Sequence, residues 1–148
     1  MKLKDLIPFL EENKREIKIH CAKGRKNNYE PQKKFFNGQF KEWQEHQNKN
    51  NFTKKYILSL IYWGQDEWLF AGVYEKISVR RNGKNEFFYE TKISDIAAEL
   101  VGRLIVGYKR GFRNSYPHLA TCIDNIEILE IKREVKKNLF PGYDKVNV

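Results

Sequence analysis

The chain has 148 residues, 41% hydrophobic and 14% aromatic, with 28 Lys and Arg against 19 Asp and Glu, a formal net charge of +9 at pH 7. This length predicts one domain, 1–148, that buries its core without disulfides, and the apolar share excludes a chain disordered throughout. No run approaches the roughly 20 apolar residues that cross a bilayer, and the mixed-charge start MKLKDLIPFLEENKRE lacks a signal peptide's apolar stretch, so the expectation is a cytoplasmic protein with no membrane partner.

In chain order, Leu3, Leu6, Ile7 and Leu10 fall at helical spacing and predict a short amphipathic helix over 2–13, bent at Pro8. Ile17, Ile19 and Cys21 then alternate with Glu16, Lys18 and His20, the pattern of a half-buried strand. Residues 22–37, AKGRKNNYEPQKKFFN, carry cations, a glycine and a proline without periodicity and predict a long exposed loop. Phe40, Trp43, Gln44 and Gln47 predict a second short helix from Asn37 or Gly38, with Phe40 and Trp43 on one face.

YILSLIYW, residues 56–63, is apolar on both faces and predicts a central strand. WLFAGVYEKISV, residues 68–79, pairs with it across residues 64–67, and the Asn-Gly core of residues 81–84 folds residues 86–90 back antiparallel. Ser94 is the expected N-cap of a short helix through Leu100, closed by Gly102. The stretch VGRLIVGYKRGFRNSYPH, residues 101–118, starts as a strand and ends as cations interleaved with aromatics and glycines. A last strand is expected over 123–131, with Ile126 and Ile128 on one side and Leu129 and Ile131 on the other.

About six mostly antiparallel strands with two or three short helices make an α+β domain. A curved sheet closing into a β-barrel is the expected architecture, because short apolar strands need a closed or covered core. Cys21 and Cys122 lie far apart, in no metal or redox spacing, and read as small buried residues of a reduced protein.

Chemistry-bearing patterns are few. The sequence has no phosphate-cradling glycine loop, no Cys/His metal cluster and no nucleophile elbow, so no cofactor, no metal and no catalytic residue is expected. His46 lies four residues after Glu42, which on a helix gives a solvated pair and too few ligands for zinc. A metal-dependent nuclease can be built only on Glu130 and Lys132, with Asp124 or Asp95 as the second carboxylate.

The basic and aromatic surplus points elsewhere. A chain this basic makes nucleic acid the first partner to consider. Arg80, Arg81 and Lys84 from the hairpin, with Arg103, Lys109, Arg110 and Arg113 from the stretch after residue 101, are the candidate phosphate contacts. Aromatics crowd three neighbouring strands beyond what one core face uses, so Trp43, Trp63 and Tyr74 are candidates for a base pocket, with Tyr116 stacking at its rim.

The segments NGQFKEWQEHQNKNNFTKKYILSLI, EWLFAGVYE, ELVGRLIVGYKRGFRNSY and FPGYDKVNV resemble the N-terminal domain that precedes a GIY-YIG endonuclease domain in restriction-like bacterial proteins. The resemblance runs from about Phe36 to Val148. It implies a DNA-recognition domain that positions a fused or partner nuclease. Neither GIY nor YIG occurs in this sequence, which ends where that nuclease would begin, so the resemblance carries over no catalytic residue.

The implied fold is similar to PUA-like and SRA-like barrels, which read modified bases by flipping them. The leading expectation is a DNA-binding recognition domain for a modified base or a short sequence in duplex DNA. A PUA-like RNA-binding module, the Glu130 nuclease and a protein-interaction domain with a basic face are the alternatives.

Overall fold

The computed structural model describes residues 1–24, 29–42, 44–47, 54–81, 87–109 and 120–133; at 44–47, 80, 81, 87–89, 120 and 121 it describes the backbone alone. Its centre is an α+β arrangement around a single seven-stranded sheet.

The N-terminal periodicity yields two helices, α1 (Leu3–Leu6) and α2 (Pro8–Glu12), instead of one bent helix. Proline lacks an N–H and has a preset φ, so Pro8 suits the first turn of a new helix better than the interior of an old one. Leu3, Ile7 and Leu10 still face one core, as their spacing requires. The strand β1 (Ile17–Ala22) follows.

The expected long loop contains a helix, α3 (Glu30–Phe36). Its apolar signal is weak because it buries only Gln32 and Phe36, one turn apart, and surrounds them with lysines. Among the described residues the second expected helix does not form. Gly38, at φ 71°, terminates α3, and the amide of Gln39 reaches back to the Lys34 carbonyl at 2.8 Å. Residues 44–47 form a strand, β2 (Gln44–Gln47), so Glu42 and His46 share no helix face.

β3 (Tyr56–Gly64) and β4 (Glu67–Arg81) pair antiparallel as expected. β4 is the spine of the sheet. β3 runs along one side of it, while the other side is shared by β6 (Leu104–Gly107) at its start and β5 (Phe87–Ile93) along its second half. β7 (Glu127–Ile131) continues from β6, and β2 from β5. Residues 123–125 belong to a 3-10 turn, Ala120–Asn125, and not to the last strand. A 3-10 turn, Ala98–Leu100, replaces the helix expected after Ser94. The Ser94 hydroxyl still accepts from the Ile96 amide at 3.3 Å and donates to the Val73 carbonyl at 2.6 Å.

β1 pairs parallel with β3, and the other pairings are antiparallel. The expected barrel closure is not seen: among the described residues the pairing ends at β1, β2 and β7. Coverage by helices supplies what closure would have supplied.

On one face, α1, α2 and the turn around Ile123 pack over Ile17, Ile19, Leu58, Leu60, Phe70, Val73, Leu104 and Val106. On the other, α3 lays Phe36 over Ile61, Trp63, Leu69, Ala71 and Ile105, with Phe35 and Phe40 at the margin. Cys21 and Cys122 form no disulfide and are half-buried where full burial was expected. Among the described residues no helix is long and apolar enough to cross a membrane.

Candidate functional site

Alternation along β1 sends Ile17 and Ile19 into the first core, which leaves Lys18 and His20 on the opposite face. The parallel register sets His20 beside Ser59 and Lys18 beside Ile57. Ser59 is the single serine inside the apolar run YILSLIYW and is fully buried. What receives it is Glu42, only 1% exposed, brought over the sheet by the chain that leaves α3.

Ser59 Oγ donates to Glu42 Oε2 at 2.8 Å, and His20 Nδ1 meets Glu42 Oε1. The two atoms touch without hydrogen-bond geometry, and neither Nδ1 nor Oε1 finds a hydrogen-bond partner among the described residues. Nδ1 itself is buried while the His20 side chain is 39% exposed, so the exposed edge of the ring is the one that carries Nε2.

The charge of Glu42 spreads to its neighbours. Burial, helped by Glu42, pushes the Tyr74 hydroxyl up to about 12. Burial also pulls the Lys18 ammonium below its ordinary value, with Glu42 opposing. The acid stands between the serine and the histidine, whereas a nucleophilic triad needs the histidine in the middle, taking the serine proton. This arrangement orients an imidazole; it does not activate a hydroxyl.

Beside His20 opens a cavity of about 400 Å³. Lys23 lines it from the end of β1, Glu30 and Lys34 from α3, and Phe40 and Lys41 from the segment that leads to Glu42. Lys34 Nζ pairs with Glu30 at 3.4 Å, while Lys23 and Lys41 make no ion pair among the described residues. The cavity thus combines an oriented imidazole, two uncompensated ammonium groups and an aromatic wall. It can hold an anion attached to something flat or apolar. On the same helix, Gln32 is fully buried and its amide finds no hydrogen-bond partner among the described residues.

The residues singled out from sequence are distributed differently. Trp63 is 6% exposed in the second core, with Lys132 Nζ 5.6 Å from its ring centre, and Tyr74 is 9% exposed beside Glu42. Neither lines the cavity. Arg103 ties together two turns, with Nε donating to the Lys132 carbonyl at 2.8 Å and Nη1 to that of Glu99 at 2.9 Å.

Lys109 is exposed just beyond β6. Arg80 and Arg81 close β4 opposite Phe88 and Phe87, with only their backbones described. Trp43, Lys84, Arg110, Arg113 and Tyr116 lie outside the described residues.

Of the nuclease set, Lys132 Nζ meets Glu130 Oε1 at 3.0 Å. Asp124 is held by Lys4 at 3.0 Å, with its carboxyl drawn below the usual carboxylate range mainly by that contact. Asp95 lies in the bend after β5. Among the described residues no three His, Cys, Asp or Glu side chains gather as a metal site would need.

Sequence reasoning passed over Lys18, His20, Glu42 and Ser59 as a group, although a polar residue in the middle of a central apolar strand was a usable signal. No family model matches the chain, and no curated protein and no solved structure matches it.

Proposed function

We propose that the chain is a DNA-binding recognition module, on a fold related to PUA-like and SRA-like barrels, that tests duplexes for a modified base or a short sequence on behalf of a GIY-YIG nuclease. The observation that supports this reading is the cation-lined cavity beside an imidazole held by a buried carboxylate, in a chain of net charge +9. Lysines at such a mouth neutralise backbone phosphates, which makes affinity salt-dependent, while the cavity interior supplies discrimination. The aromatic wall nearest that mouth is Phe40, because Trp63 is packed in the second core.

The test is fluorescence-anisotropy binding to matched duplexes with plain cytosine, 5-methylcytosine or 5-hydroxymethylcytosine, with single-stranded DNA and RNA as controls, at two salt concentrations. A preference of about tenfold, roughly 1.4 kcal/mol, for one duplex that survives the higher salt is the expected result. Equal affinities that fall together with salt reduce the face to an electrostatic platform and overturn base reading; preference for RNA overturns the DNA assignment. The double variant Lys23→Ala/Lys41→Ala is expected to lower the slope of log affinity against log salt by about two.

A further inference from the structure

We propose that the cavity beside β1 is a phosphate site whose occupation draws a proton onto His20. The proposal rests on the same cavity as the DNA reading and names the chemical group that fills it. Three features of the geometry converge there. Lys23 and Lys41 face the cavity without a counter-ion among the described residues, whereas Lys34 is matched by Glu30. The His20 ring has one nitrogen buried against Glu42 and its other edge open. Phe40 leaves an apolar wall, and about 400 Å³ is more than a bare phosphate needs, so the rest of a nucleotide has space.

The proton follows from donor and acceptor accounting. Neutral His20 carries one N–H for two acceptors, the Glu42 carboxylate against Nδ1 and a phosphate oxygen at the other edge. Whichever nitrogen holds that hydrogen, the other sets a lone pair against an anion. Protonation turns both edges into donors, and the imidazolium then stands between two anions, Glu42 behind and phosphate in front.

The other charged and titratable groups around this centre divide in the same sense. Lys18 on β1 and Tyr74 on β4 neighbour Glu42, and Cys21, Lys23, Glu30, Lys34 and Lys41 line the cavity. The two uncompensated lysines with one imidazolium suit a phosphate monoester, which carries about −1.5 to −2 near neutral pH. Glu42 is the positioning residue and touches no ligand.

The phosphate can come from a strand's 5′ end, a phosphodiester within the strand, or a free mononucleotide. The first probe is therefore sulfate, whose charge stays constant across the range in which histidine titrates, added to the ¹⁵N-labelled full chain with the histidine ring signals followed by NMR. Sulfate is expected to bind about tenfold tighter near pH 6 than near pH 8 and to move the His20 ring toward the imidazolium signature. His20→Gln is expected to retain weak binding without the pH dependence, while His46→Gln and His118→Gln keep it. Glu42→Gln, checked for folding by circular dichroism, is expected to flatten the pH profile.

Equal sulfate affinity at the two pH values in the wild type, or a pH dependence that survives in His20→Gln, overturns the proposal. Parallel titrations with a nucleoside 5′-monophosphate and with phosphorylated and unphosphorylated duplexes identify the source by whichever shows the His20 dependence. Duplex binding that persists while sulfate leaves His20 unmoved overturns the phosphate site alone. Sulfate and monophosphate binding at His20 without duplex binding supports the phosphate site and overturns the DNA reading alone.

Discussion

Replacing Ser59 by alanine removes one oxygen from a fully buried position and leaves the surrounding apolar strand intact. The lost contact is the 2.8 Å bond donated to Glu42 Oε2, and the carboxylate that loses it is 1% exposed, so little water can take the hydroxyl's place. A hydrogen bond to a charged group contributes roughly 1.5–3 kcal/mol net, and a buried acceptor left unsatisfied adds to the cost. About 2 kcal/mol of destabilisation is therefore expected.

For a domain of this length that loss corresponds to a fall in Tm of about 4–8 °C. Denaturant unfolding followed by tryptophan fluorescence measures it, with an unchanged m-value showing that the denatured state is not the cause. A double-mutant cycle with Glu42→Gln should give a coupling of about 1 kcal/mol or more. A loss below about 0.5 kcal/mol, or zero coupling, would refute the argument that Ser59 holds the carboxylate in place.

Tyr74→Phe is expected to remove part of the alkaline sensitivity. The Tyr74 hydroxyl titrates near 10 when unfolded and near about 12 when folded, so its contribution is fully present below pH 10 and is lost as pH rises through 12. The difference amounts to about 3 kcal/mol, read as a flatter unfolding free energy above pH 10 in the variant. Gly72 adopts φ 122°, and an added Cβ would lie 2.9 Å from Ile93 Cδ1. Gly72→Ala should cost about 1–3 kcal/mol in chemical denaturation, of which Ile93→Ala recovers only the contact part because the backbone strain remains. Arg103→Ala should cost about 2 kcal/mol by loss of its two carbonyl contacts while leaving the salt dependence of DNA binding unchanged; a slope reduced by about one with stability intact would assign it to a phosphate instead.

The strands legible in the sequence were those whose patterns are local. β1 alternates, β3 is continuously apolar and β4 follows it across a short turn, so each was recognisable from a few consecutive residues. α3 was hidden because it buries one amide and one ring amid lysines, too little to register as an apolar stripe. The segment after it reversed its reading: Asn37 and Gly38, taken as a helix start, end the preceding helix through the left-handed conformation of Gly38. Aromatic crowding was visible too, but which face each ring occupies depends on what covers the sheet, and Phe36 of α3 covers Trp63.

By itself the sequence determined the charge excess, the central strand pair, the hairpin that follows it and the need to cover two apolar faces, because each depends on composition or on neighbours within a few residues. Only the tertiary structure decided that helices, not barrel closure, cover those faces, and that His20, Glu42 and Ser59 meet. The physical reason is distance along the chain. A carboxylate can be buried only where distant strands and a covering segment together supply its donors, and no local pattern in any one of them announces the other two.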